Sequence, residues 1–505
     1  MQQTQETHVL TNPNNFLTSI AHQSIDKFPS GSNLSFTQQQ LSDLFSELKH
    51  NPAIATQVLD LFSHSQMDSQ HSTSSEPNSS SATPSLEFSS SNSSPSKPLT
   101  FSASSGSSSS SGHTYYVSTS GDDHGDGSAD HPWRTIQHAV DGNAPIKGGD
   151  TVLVQPGTYS EEVSISKSGS DGNPITLKAN GDVTIVDPNP TGGKFEDGSI
   201  QTKSGVANLT IDGFTIKDSP WAGIALHDGK NIVVQNNHTE NSGSSGVIAL
   251  PGSYYGGGEA EVTGKNIKVL NNTINNANSR YVEGSPAIGQ QEALSIWGVD
   301  GFEVAGNKVT NGKTEGIDIK VGSRNGTVHD NEVSGSAEIS GTSRHGGPAI
   351  YIDGNRADMF NIDVFRNNVH NNHADGISVA DEDPSTGSVR NVRVHDNVIS
   401  NNGTLGANGG QGISVYSTVD GLDIYNNVMR GNIEGFDVGK NFGASPQNVS
   451  IHDNQFLDNR YRPGVLSDGV NGFKLVNNKF SGARGTNFDR EGTQTNVQTS
   501  GNVAV

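Results

Sequence analysis

The chain has 505 residues, with 31 Lys+Arg against 53 Asp+Glu and a formal charge of −22. Having no Cys, it holds no disulfide, thiol nucleophile or Cys-based zinc site. It has no apolar run of about 20 residues to span a membrane, and its charge opposes nucleic-acid binding, which rests on neutralising phosphates.

Residues 1–70 read as a small docking or secretion segment. The start has no basic stretch followed by an apolar core, so no secretory signal is expected. Thr37 and Gln40 fit a capping box, with Leu41, Leu44, Phe45 and Leu48 following at helical spacing. Asn51 and Pro52 fit the start of a second short helix lined by Ile54, Val58, Leu61 and Phe62. Residues 71–112 contain 21 Ser in 42 positions. That composition buries too little apolar area to offset chain entropy, so a disordered linker is expected.

From residue 113 the texture becomes strand-like and repetitive. One half-repeat is a short strand ending in Asn, at Asn237, Asn272, Asn307, Asn331, Asn368, Asn397, Asn427, Asn454 and Asn478. The spacing varies between 24 and 37 residues. A varying period fits coils joined by loops of different length. Asn also tolerates the left-handed backbone of a tight corner, and stacked amides bond along an axis. The other half-repeat is a second strand: AGIALH, EALSIW, EGIDIK, PAIYID, DGISVA, QGISVY, EGFDVG and PGVLSD. Its third and fifth places are apolar and point inward, which sends the fourth and sixth outward. The reading is an all-β parallel β-helix of about ten coils over 113–485, with 486–505 as a polar tail. A narrow core with many corners accounts for 30% hydrophobic residues beside 60 Gly.

Stacked about 4.8 Å apart, the outward places form a surface. One group stands out: Glu292, Glu315, Asp318, Lys320 and Asp353, from neighbouring coils, with Arg344 and His345 in the loop entering the third. Ordinary surface ion pairs are one reading, worth about 0–1 kcal/mol each. The other is a cation site beside a base. Glu292, Glu315, Asp318 and Asp353 offer the hard oxygens Ca²⁺ takes, and a nearby cation depresses the Lys320 pKa until it is able to accept a proton. That suits β-elimination in a uronic-acid polymer, with Arg344 as carboxylate clamp or acid. Trp297, Tyr351 and Tyr416 are placed to line the groove, with His345 and Asp375 as further substrate contacts.

These residues resemble the right-handed parallel β-helix polysaccharide lyases, the group of pectate lyases, alginate lyases and chondroitinase B. The opening segment, from Tyr115 through Gly157-Thr158-Tyr159, is similar to the first coils of many such secreted proteins. Glu315 stands five residues before Lys320, followed by Ser323-Arg324-Asn325, and Arg344-His345-Gly346 comes 24 residues after Lys320. The resemblance implies Lys320 as base, Arg344 as acid and Ca²⁺ as cofactor. Two departures are plain: Arg344 precedes its strand instead of lying in it, and the family's second Glu is Lys313 here. The pectate-lyase branch is matched by Ala374-Asp375-Gly376, but its next acidic motif is Gly410-Gln411-Gly412 here. Polygalacturonase blocks are absent as a set, although Asp318 and Asp353 offer a carboxylate pair. The alginate epimerase Asp-Pro-His block is also missing, since Ser385 follows Asp383-Pro384. The N-terminal composition resembles type III-secreted, harpin-like proteins, which implies secretion without a signal peptide. The expectation is a secreted monomeric lyase of an acidic polysaccharide. The alternatives are a non-catalytic wall-binding protein, a β-helix hydrolase and a C5-epimerase.

Overall fold

The computed structural model describes residues 112–505, apart from 195–196, 253–261, 281–291, 337–346, 404–408 and 483. The helices and linker expected within 1–111 lie outside the described residues.

Among the described residues the chain winds through three parallel sheets in turn. Sheet A has 14 strands, from Thr114–Val117 to Gln498–Ser500. Sheet B has 13, from Gly157–Ser160 to Val503–Ala504, and sheet C has 12, from Val163–Ile165 to Asp489–Arg490. Each strand pairs with its equivalents one coil before and after, as in a solenoid. The one helix described, α1 (Ile136–Val140), is capped by Thr135, whose side chain accepts from His138 N. The solenoid has more coils than the roughly ten counted from sequence. The coils before residue 190 and the strand Val247–Leu250 escaped that count. The final residues are not a separate tail: Asp489–Arg490, Gln498–Ser500 and Val503–Ala504 extend the three sheets.

The inward places of sheet C are filled in register. Ile317, Ile350, Ile377 and Ile413 align, as do Ile319, Ile352, Val379 and Val415, all fully buried. Burying each such side chain stabilises by about 1.5–3 kcal/mol. The corner between sheets A and B divides its work between two residues. The first takes the left-handed backbone, as Asn236, Asn271, Asp396 and Asn426 do. The second is a buried Asn whose side chain bonds to the next coil. In the coil containing Arg366 the ladder residue is Asn367, not Asn368, because Arg366 takes the positive φ. Asn368 begins the following strand.

The last repeat is also shifted by one place. Arg462–Leu466 pairs with Glu434–Gly439 so that Val465 faces Asp437 and Gly464 faces Phe436. The expected outward Leu466 is therefore buried. A Cβ on Gly464 would lie 2.3–2.4 Å from the Phe436 ring, so the bulky Phe436 dictates the glycine and with it the register.

Candidate functional site

The outward places of sheet C bring the expected residues together. Ser295, Asp318, Tyr351 and Ser378 form one row, and Trp297, Lys320, Asp353 and Ala380 the next. Two rows on one pleated face are separated by two residues along the strand, so both point the same way.

Lys320 is the centre of the group. Its Nζ pairs with the fully buried Asp353 on the next coil. It also donates to Glu382 Oε2 at 3.2 Å. The Lys320 side chain is only 13% exposed, whereas that of Glu382 is 38% exposed. Tyr351 is buried, and its hydroxyl meets Glu382 Oε1 at 3.5 Å. Asp318 is fully buried and accepts from Trp297 Nε1 at 3.3 Å. Glu292 accepts from Ser295 Oγ at 2.9 Å. Asp318 Oδ1 and Asp353 Oδ1 are among the carboxyl oxygens buried without a hydrogen-bond donor.

Charge is shared unequally here. Burial, reinforced by Glu292, pushes Asp318 well above the usual carboxylate range. Burial and Glu292 also raise Glu315, to about 7. Burial raises Glu292 too, with Lys320 opposing it. Burial raises Asp353, again against the pull of Lys320. Burial works against the Lys320 charge, but Asp353, Asp318, Glu382 and Glu292 outweigh it and hold the proton on. The direction for Lys320 is therefore upward, opposite to the lowering that a neighbouring cation would produce. The cause is that its partners are carboxyls on adjacent strands.

The expected calcium ligands do not form a cage. Among the described residues no three His, Asp or Glu side chains are arranged to hold a metal ion. Lys320 is the basic side chain among Glu292, Glu315, Asp318 and Asp353.

The substrate contacts divide. Trp297 is 3% exposed and packs with Ala225, Ile248, Leu250 and Val321, so it walls the N-terminal side of the site and offers no face to a sugar. Sheet C is apolar on its outer side in those coils, which draws the indole in. Asp375 is occupied by the chain itself, accepting from Gly410 N (2.6 Å), Gln411 N (3.1 Å) and Ser414 Oγ (2.8 Å). Tyr416 is partly exposed and donates to Asp437 Oδ2 at 2.9 Å, and burial pushes Asp437 up to about 7. Arg344 and His345 lie outside the described residues. Sequence reasoning missed Glu382, which stands one residue past the strand Ile377–Asp381. The acidic run Asp381-Glu382-Asp383 was its signal, two places beyond the last position aligned in each repeat.

Residues 115–334 match the family described as Pel9A-like, right handed beta helix region. Residues 282–429 match the one described as right handed beta helix region. The uncharacterized protein YwoF of Bacillus subtilis (strain 168) is 26% identical over 420 residues, covering 71% of this chain and 82% of YwoF. Among solved structures, pectate lyase Pel9A is 16% identical with a TM-score of 0.35, covering 78% of this chain and 80% of that one. The A-module of mannuronan C-5 epimerase AlgE6 from Azotobacter vinelandii is 15% identical with a TM-score of 0.46, covering 71% and 91%. Three parallel sheets wound coil by coil, with both matched regions inside them, give this chain a right-handed parallel β-helix fold.

Proposed function

We propose that this protein is an enzyme that cleaves a uronic-acid polysaccharide by β-elimination on the outer face of sheet C. The observation that carries this reading is the Lys320 ammonium, 13% exposed, which meets the buried Asp353 and the solvent-facing Glu382. The Pel9A-like family match supports it.

Elimination removes the hydrogen beside the sugar carboxylate, forms a carbon–carbon double bond and breaks the bond to the leaving oxygen. The hydrogen becomes acidic when a cation neutralises the carboxylate. Lys320 is that cation. Glu382 is the solvent-facing carboxylate beside it and accepts the proton. The Tyr351 phenol, held protonated by burial and by Asp353, returns a proton to the leaving oxygen. Polymers of this kind lie outside cells, so the protein works there.

A second reading is hydrolysis, favoured by carboxyls such as Glu315 and Asp437 that keep a proton up to about pH 7. One such acid is what glycoside cleavage requires. Ultraviolet absorbance of unsaturated product on pectate, alginate and glycosaminoglycans separates the readings. Each polymer is run with calcium and with chelator, beside Lys320→Met. Absorbance that survives chelator and vanishes in the variant supports elimination with Lys320 as the cation. Absorbance lost with chelator assigns that role to calcium. New reducing ends without absorbance establish hydrolysis, and binding without either product establishes a wall-binding protein.

A further inference from the structure

Glu382 reaches Lys320 from 62 residues away. Its backbone is fixed, since Glu382 N donates to Gly354 O at 2.8 Å. The following turn is tied by Asp383 N to Asp381 Oδ1 (3.0 Å) and by Thr386 Oγ1 to Asp383 Oδ2 (2.8 Å). Only the side chain has freedom to leave. Its two oxygens are divided between two donors, Oε2 on Lys320 Nζ at 3.2 Å and Oε1 toward the Tyr351 hydroxyl at 3.5 Å. A free carboxylate would be received in the same way. The other carboxyl on Lys320, Asp353, is fully buried, whereas the Glu382 side chain is 38% exposed.

We propose that Glu382 is a built-in stand-in for the carboxylate of a sugar acid: it closes the Lys320–Tyr351 subsite in the free chain, and a uronate binds by displacing it. The inference rests on the uronan reading of this site and adds an autoinhibitory contact to it. Displacement also frees the Glu382 carboxylate beside the sugar, where the elimination needs a proton acceptor. Glu382→Gln keeps the size but removes the competing charge, so an incoming carboxylate meets an unopposed ammonium.

The test is calorimetric titration of the full chain with trigalacturonate and triguluronate, each as free acid and as methyl ester. Wild type, Glu382→Gln, Glu382→Ala and Lys320→Met are compared. The expected result is about tenfold tighter binding of an acid trimer by both Glu382 variants, the scale of one charge-assisted hydrogen bond. The ester should bind all four proteins alike, and Lys320→Met should lose the preference for the acid. Acid preference in wild type with no tightening in either Glu382 variant would overturn the stand-in and leave the uronan reading intact. Equal binding of acid and ester by wild type, or no binding of any trimer by any of the proteins, would overturn both.

Discussion

Glu315→Gln offers a direct measure of the electrostatics around Lys320. Burial and the neighbouring Glu292 raise the Glu315 carboxyl from 4.5 to about 7. Each pH unit of such a gap is worth about 1.4 kcal/mol, so this one corresponds to about 3 kcal/mol. The unfolded chain loses the proton near 4.5 and the folded chain near 7, so the folded state binds more protons in between. Stability therefore falls as pH rises through that window and stays reduced above it. Gln has the shape of the protonated acid and does not titrate. The variant should match wild type below about pH 4.5 and exceed it by about 3 kcal/mol at pH 8. Urea unfolding followed by tryptophan fluorescence, at pH 4.5 and pH 8, reads the difference. A variant destabilised by the same amount at both values would show that Glu315 is charged throughout, which would refute the reasoning.

Lys320→Met should lower turnover of whichever polymer is cleaved by about 10²–10³-fold, the scale of removing one preorganised electrostatic group; an active variant would remove Lys320 from the chemistry. Asn397→Ala deletes bonds to Asn367 N (2.9 Å), Asn367 Nδ2 (3.0 Å), Val364 O (3.0 Å) and Asn427 Oδ1 (2.9 Å). It should cost on the order of 3–5 kcal/mol, seen as faster hydrogen exchange in the adjoining coils. Trp297→Ala should cost about 3–5 kcal/mol in the same urea assay through the cavity left among Ala225, Ile248 and Leu250. Gly464→Ala should lower the thermal midpoint, because Phe436 occupies the space a methyl needs.

The solenoid was legible because its signal repeats. Alternation along each sheet C strand and a corner Asn once per coil gave the architecture and the outward rows of the site. A single repeat says less. The one-residue shifts at Asn367 and Gly464 turn on which residue takes a positive φ and on where a phenylalanine ring sits, neither of which an alignment of apolar places records. Lys320, Asp318 and Asp353 were recognised as neighbours because register follows from the repeat. The upward direction of the Lys320 pKa was not, because it depends on how closely Asp353 and Asp318 face the amine, with Glu382 adding to them from outside the aligned positions. Trp297 was misread for a related reason: outward from a strand does not mean exposed when the outer side is itself apolar.

The Asn ladder has a further consequence. Successive rungs lie 35, 35, 24, 36, 30, 30, 27, 24 and 24 residues apart, yet the corner itself never changes length. All the variation in contour falls elsewhere in the coil, much of it in the sequence before and after the sheet C strands. The molecule thus separates an invariant spine from an editable rim. Differences in coil length leave the pitch of the stack unaltered. New specificities are accessible to such a chain by lengthening one loop at a time, while every coil above and below stays in place.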